Sequence, residues 1–291
     1  MATAAPVSML AGPAAAAVAA LMTAKRDLAA GRVIPYLGPD LFAGSEISIP
    51  TTPEALATAL NAKAPAPGRI RRNLWSVAQF IESNRHRKTL TGLMNGIFRA
   101  PVVPGALHRS LARWPLPLIV DTWYDGAMRS ALQDSGRTDW GEIQGVTRAG
   151  VTKPVWTRAY DASGAEVDPA MAAGWTTILY KPHGAVTPAG NYLVSDSDYV
   201  EVLTEIDIQT PIPDIVQERR RNCGFLYIGA RFHDQMLRIF ARQIAKRSAG
   251  GHRAVVERAS LTLNETRFLD EAGIELIDCP LPTAVSTLAA D

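Results

Sequence analysis

The sequence predicts an α/β fold: a mostly parallel sheet with helices on both faces and a helical insertion. The main observation is the alternation of strand-like and helix-like stretches towards the end of the chain. A strand "GFLYIGA" (224–230) leads into an amphipathic stretch at 233–247, and strands at 253–258 and 274–280 enclose a helix that ends at Gly273. Such alternation is typical of parallel sheets with crossover helices. A hydrophobic fraction of 47% with 20% charged residues also suits a folded chain with a sizeable core.

Charge and cysteine content exclude several functional classes. Thirty basic and 28 acidic residues give a net charge of +2, too balanced to favour nucleic acid or a membrane surface as a partner. The two cysteines, Cys223 and Cys279, form no CxxC motif, so a four-cysteine zinc site is excluded and no metal is predicted. No two histidines have HxH or HxxxH spacing either. So few cysteines indicate a cytoplasmic protein rather than a disulfide framework.

The first 24 residues carry no charged side chain. They lack the basic start of a signal peptide, and alanine is too weakly apolar to hold a membrane span. We therefore predict a flexible tip over residues 1–13 and then a helix to about Ala30, followed by Gly31. A weak signal peptide is the alternative. The α/β domain is predicted to occupy residues 14–291.

The elements between the tip and the alternating region follow in order. Residues 32–38 ("RVIPYLG") form a short strand, and periodic helical patterns fill a predicted insertion at about 53–113. A second strand at 118–120 precedes a helix that starts near Gly126. Polar, glycine-containing stretches then predict a smaller inserted hairpin or meander at about 135–173. "WTTILYKPHG" (175–184) returns to the core, and a helix capped by Ser195 or Asp196 follows it.

Four loops after predicted strands could carry a ligand site, because ligands of open parallel sheets bind at the carboxyl ends of strands. In each loop a structural role competes with a functional one. Gly38 suits a phosphate-binding turn or a plain tight turn, and Asp40 lies where an anion would be repelled. Asp125 suits ribose binding or helix capping, and Asp234 suits a ligand-binding loop or a helix cap. His183 suits a general base or a histidine in a turn.

In order and spacing, these loops resemble the SIR2-like domain, in the zinc-free branch of that family. The resemblance covers roughly residues 25–280 and is carried by "YLGPDLFAGSEISIPTTPEAL", "IVDTWYDGAMRSAL", "LYKPHGAV" with the later "YLVSDSDYVEVL", and "GFLYIGARFHDQMLRIF".

The resemblance implies a Rossmann-like site for NAD, or ADP-ribose, and cleavage of the nicotinamide–ribose bond as in an NAD glycohydrolase. His183 falls on the family's base, and Ile49-Pro50 falls on the segment that covers the cofactor. Gly38 belongs to the phosphate-cradling loop, Thr122 and Asp125 to the ribose motif, and Gly229 and Asp234 to the loop near the adenosine. The cofactor-binding residues implied are Gly38, Asp40, Thr122, Asp125, Gly184, Gly229 and Asp234.

Two departures from the family pattern leave the activity open. Asp40 stands near the place of the family's second loop glycine, and Trp123 replaces the asparagine of the ribose motif. Indole offers one donor and no acceptor, whereas an amide offers both. A catalytically inactive NAD or ADP-ribose sensor, or an interaction module, is therefore the alternative function. The absence of zinc-ribbon cysteines argues against a sirtuin deacetylase, and the sequence leaves a protein partner or a homo-oligomer open.

Overall fold

A computed structural model describes residues 13–42, 47–147, 155–205 and 211–290. The predicted flexible tip lies outside these residues as far as residue 12. Within the described ranges, the fold is a mixed α/β architecture around one large sheet.

The central sheet has nine strands in the described residues, and the first seven in sheet order pair in parallel. In sheet order they are β11, β10, β9, β1, β2, β6, β3, β4 and β5, of which the last two are antiparallel to their neighbours. A separate hairpin contains β7 and β8. The strand bounds are β1 Val33–Leu37, β2 Leu118–Asp121, β3 Trp140–Gly145, β4 Thr157–Asp161, β5 Glu166–Val167, β6 Thr177–Lys181, β7 Gly184–Ala185, β8 Asn191–Tyr192, β9 Gly224–Ile228, β10 Arg253–Val255 and β11 Glu275–Ile277.

Helices cover both faces of this sheet. The bounds are α1 Pro13–Ala29, α2 Pro53–Lys63, α3 Leu74–Arg85, α4 Arg87–Phe98, α5 Ala106–Arg113, α6 Ala127–Asp134, α7 Asp196–Glu205, α8 Asp214–Arg220, α9 Gln235–Ala245, α10 Leu263–Glu271 and α11 Leu281–Ala289. Short 3₁₀ turns occupy Pro39–Phe42, Pro169–Gly174 and Arg258–Ser260. Helices α8, α9 and α10 share one buried core with the sheet, and α1, α5, α6 and α11 share a second core on the other face. The mostly parallel sheet with helices on both faces is therefore confirmed.

The helical insertion contains its own apolar core. Helices α2, α3 and α4 pack together through side chains such as Leu56, Leu60 and Ile81, which are fully buried. The first of these helices starts as the sequence indicates, because Thr52 Oγ1 accepts a hydrogen bond from the Ala55 amide. Helix α5 differs from the expected insertion at 53–113, since its apolar residues join the core on the sheet face.

Strand β3 lies within residues 135–173, where an inserted hairpin or meander was expected. It pairs in parallel with β6 inside the main sheet, and only β4 and β5 extend the edge as an antiparallel pair. Its sequence, "WGEIQG", looks exposed, yet all six residues are buried. Glu142 is paired internally: Arg129 Nη1 donates to it at 2.6 Å, and Gln144 Nε2 donates to the same carboxylate at 2.6 Å. Because polar residues of β3 are buried against partners elsewhere in the chain, a pattern based on hydrophobicity does not predict this strand.

Sheet topology fixes where a ligand crevice can open. From β1 the chain first adds β2 on one side and later adds β9 on the other. The loops that follow β1 and β9 therefore diverge at a topological switch point, which in open α/β sheets is the usual place of a ligand site.

Across the described residues, no helix combines the length and the apolar character that crossing a bilayer would require.

The buried ion pair between Arg129 of α6 and Glu142 of β3 gives a stability prediction. Glu142→Gln leaves the Arg129 guanidinium buried without its carboxylate, so the free energy of unfolding should fall by about 3–5 kcal/mol. The matched change Glu166→Gln breaks the Arg158 pair, whose side chains are about half exposed, and should cost about 1 kcal/mol or less. Urea denaturation measures both variants. Equal losses would contradict a structural role for the buried pair.

Candidate functional site

Two adjoining cavities open at the switch point. The smaller, of about 370 Å³, lies between the loops after β1, β2 and β9 and the first turns of α2 and α10. The larger, of about 500 Å³, lies beyond the β9 loop, at the ends of β10 and the start of α11. Both volumes are in the range of small-molecule sites. Three residues line both cavities, namely Asp40, Ala230 and Arg231.

The floor between the cavities is a close contact between two backbone loops. The Gly38 amide donates to Ile228 O, and the Asp40 amide donates to Gly229 O, each at 2.9 Å. A Cβ atom on Gly38 would overlap the Gly229 carbonyl and the Ala230 Cα. Gly229 itself has φ +66°, and a Cβ there would overlap the Leu41 amide. Glycine is therefore required at both positions so that the two loops can meet, which is a packing reason for Gly38.

Thr122 connects the smaller cavity to His183. Its amide and Oγ1 both donate to Leu37 O, at 3.0 and 2.9 Å, which holds the end of β2 against the end of β1. Its carbonyl accepts a hydrogen bond from His183 Nδ1 at 3.0 Å. Because a carbonyl only accepts, Nδ1 carries the proton, and Nε2 of the neutral ring is left with a lone pair.

His183 itself is buried behind Thr122. It is 4% exposed, and its Nε2 has no hydrogen-bond partner among the described residues. The rings of Tyr199 and Phe240 pack edge-on against the imidazole, with centroids 5.3 and 4.9 Å away. Burial lowers the pKa of His183 to about 4, with a smaller contribution from the positive charge of Lys181. The ring is therefore neutral at pH 7 and is able to accept a proton at Nε2.

A buried ion pair lies next to this histidine. Lys181 Nζ donates to Asp121 Oδ2 at 2.6 Å, and the two side chains are only 1% and 6% exposed. Burial opposes the charge on Lys181, but the carboxylates of Asp121, Asp125 and Glu142 raise its pKa, so the ammonium group persists. The pair joins the carboxyl ends of β2 and β6, and these ends carry Thr122 and His183.

Trp123 points away from the smaller cavity into the core of the insertion. It is 4% exposed and packs on Phe98 and Tyr124. Its Nε1 donates to Pro50 O at 2.9 Å, so the single donor of the indole holds the segment that precedes α2. Trp123 thus ties the segment before α2 to the end of β2.

The residues predicted from the sequence divide into two groups. Asp40 and Thr122 line the smaller cavity, and Asp40 and Gly229 line the larger one. The described residues that line these cavities do not include Gly38, Asp125, His183, Gly184 or Asp234.

Three of the residues outside the cavities make local structural contacts. Asp234 caps α9, since its Oδ1 accepts from the Met236 amide at 2.7 Å. Asp125 Oδ1 accepts from the Ala127 amide at 2.8 Å, but the cap residue of α6 is Gly126. Gly184, with φ +76°, abuts the Asn191 carbonyl in the β7–β8 hairpin. The contact of Asp234 matches the helix cap that the sequence left open as an alternative.

The structure adds charged groups that sequence reasoning missed. Arg231 follows Gly229 and binds Glu265 through two hydrogen bonds of 2.8 Å. At the rim, Glu54 and His233 form an ion pair at 3.0 Å, and this contact raises the pKa of His233. The spacing of Thr262 and Glu265 is a capping-box signature that predicts the start of α10, but no pattern in the sequence joins that helix to the β9 loop.

Comparison of the sequence with known protein families gives a match over more than half of the chain. Residues 117–277 match the model of the SIR2-like domain. The chain belongs to this family. The match begins at β2 and ends at β11, so it includes Thr122, His183 and Gly229, while Gly38 and Asp40 precede it. Proteins of the SIR2-like family generally bind NAD. A comparison with curated proteins finds no match.

The buried histidine predicts a pH-dependent stability. The folded-state pKa of His183 is below its ordinary value of 6.5, so the folded protein binds fewer protons than the unfolded chain. The neutral ring is tolerated above pH 6.5, and stability is lost as the pH falls towards 4. His183→Gln should remove up to about 3 kcal/mol of this loss, measured by urea denaturation between pH 7 and 4.

The exposed His86 supplies the control for this experiment. His86→Asn should leave the pH dependence of unfolding as in the wild type. An unchanged pH slope in His183→Gln would contradict a buried, neutral His183.

Proposed function

We propose that the crevice binds NAD across the switch point and that the protein releases nicotinamide from it. The observation that carries this proposal is the pair of cavities that meet at Asp40, Ala230 and Arg231. A dinucleotide has two nucleoside halves joined by a diphosphate, and two lobes joined by a short neck suit that shape. The place of the neck, at the ends of β1 and β9, is the place where Rossmann-like sheets bind diphosphates.

The linings of the cavities support an orientation. In the larger cavity Val255, Leu281 and Val285 offer an apolar wall for the adenine. Glu257, at the end of β10, supplies a carboxylate for ribose hydroxyls, as acidic residues do in dinucleotide sites. The nicotinamide ribose then lies in the smaller cavity, where Thr122 forms the wall in front of His183.

Cleavage of the nicotinamide–ribose bond requires that the protein orient the substrate and that one base accept a proton. As the bond between nicotinamide and ribose C1′ breaks, nicotinamide leaves as a neutral molecule with the electron pair, and an oxocarbenium-like centre forms. Water adds to C1′, and one proton is released. His183 Nε2 has the lone pair to take it, and the hydrogen bond from Nδ1 to Thr122 O orients the ring. Tyr199 and Phe240 shield the ring, so catalysis requires these side chains to move.

Binding of NAD or ADP-ribose without turnover is the second candidate. The burial of His183 favours it, and so does Trp123, whose indole N–H is engaged by Pro50 O instead of facing the smaller cavity. Under this alternative the crevice senses the nucleotide, and His183 has the structural role of closing the turn after β6.

Incubation of the purified protein with NAD separates the two candidates. We expect free nicotinamide and ADP-ribose by chromatography, and a loss of at least about 100-fold in His183→Gln, because general base catalysis contributes this much. ADP-ribose should raise the melting temperature of both proteins. Release that persists in His183→Gln would exclude this residue as the base. A thermal shift in the wild type without release would establish the sensor.

A further inference from the structure

Two oppositely charged side chains lie where the two cavities meet. Asp40 and Arg231 are the charged residues common to both linings. Asp40 belongs to the loop after β1 and Arg231 to the loop after β9, and backbone hydrogen bonds join these two loops. A ligand that occupies both cavities would therefore lie close to a carboxyl group and a guanidinium group.

Arg231 is held in place, and part of it faces the cavities. Its Nε and Nη2 donate to the two oxygens of Glu265 at 2.8 Å, and Nη2 also donates to Ser260 O at 2.8 Å. Nη1 donates to none of the residues that the structure describes. Glu265 is fully buried and also accepts from the Phe232 and Thr262 amides, so the anchor is rigid. The guanidinium therefore offers a fixed, free N–H edge to an anion.

Asp40 is a partly buried carboxyl group with no hydrogen bond from any described residue, although its amide is fixed to Gly229 O. Burial raises the pKa of Asp40 to about 6, while the positive charges of Arg231 and His233 oppose the shift. An unpaired carboxylate at this point repels a diphosphate, whereas a protonated carboxyl group donates a hydrogen bond to it.

We propose that Asp40 and Arg231 form the diphosphate subsite and determine its charge specificity: Arg231 supplies the cation, and Asp40 admits a diphosphate only when it carries a proton. Binding of NAD or ADP-ribose is then coupled to the uptake of one proton. This inference builds on the proposed NAD site, but it concerns binding and is independent of catalysis.

The other charges that face Asp40 come from three elements. Arg231 and His233 lie on the β9 loop, Glu54 on α2 and Glu265 on α10. Burial opposes the ionisation of Glu265, but its hydrogen bonds, led by that from Arg231, hold its pKa at about 2, so its charge is constant near neutrality. The hydrogen bond between Glu54 and His233 raises the pKa of His233 and lowers that of Glu54. His233 is thus the group whose titration could be mistaken for that of Asp40.

Isothermal titration of the full-length protein with ADP-ribose, from pH 5.5 to 8.5, tests the proposal. Affinity of the wild type should fall about tenfold per pH unit once Asp40 ionises above pH 6. Asp40→Asn should remove this dependence and bind ADP-ribose at least about tenfold more tightly than the wild type at pH 8. Arg231→Gln should bind it more weakly at every pH.

Two controls isolate the subsite. Adenosine, which lacks the diphosphate, should bind the wild type and Asp40→Asn equally at all pH values. The double variant Glu54→Gln/His233→Gln should keep the wild-type pH slope, which assigns the proton to Asp40.

The proposal would be overturned if the affinity of Asp40→Asn for ADP-ribose still fell with pH as in the wild type. It would also be overturned if the wild type required Mg²⁺ to bind ADP-ribose at pH 8 and Asp40→Asn did not, because Asp40 would then be a cation ligand. Absence of ADP-ribose binding in all proteins would overturn the proposal together with the NAD site. Proton-coupled binding without nicotinamide release would refute only the cleavage reaction.

Discussion

The site depends on one close contact, the meeting of the backbones after β1 and β9. Side chains larger than hydrogen at Gly38 or Gly229 would force the loops apart, because each would overlap backbone atoms of the opposite loop. The contact closes the floor between the two cavities and fixes the amide of Asp40. The crevice opens at this point because the chain continues from β1 to β2 on one side of the sheet and from β9 to β10 on the other.

Behind the crevice, buried polar groups connect the strand ends to one another. The Lys181–Asp121 pair joins β6 to β2, Thr122 joins β2 to β1, and His183 returns from β6 to the Thr122 carbonyl. Buried ion pairs contribute little net stability compared with apolar side chains of the same shape. Their directional hydrogen bonds do set the position of Thr122, which lines the smaller cavity, and the direction of the lone pair on His183.

Much of the fold follows from local patterns, while the site combines groups that no local pattern connects. Alternation of strands and helices predicts the parallel sheet, and Thr52 with Pro53 predicts the start of α2. A pattern based on hydrophobicity does not predict strand β3, because Glu142 and the Gln144 amide nitrogen are buried against partners outside the strand, Arg129 and Thr187 O. In the same way, glycines after strands indicate the crevice, but the anchoring of Arg231 by Glu265 requires knowledge of which loops meet. The burial of His183 by Phe240 is equally a result of tertiary packing.

The central claim is that one dinucleotide spans both cavities, and a crystal structure with ADP-ribose tests it most directly. Electron density should run continuously from the adenine beside Val255 and Leu281, past Asp40 and Arg231, to a ribose against Thr122. The diphosphate should lie over the contact between Gly38 and Gly229. A ligand confined to one cavity, or bound away from the switch point, would contradict the account.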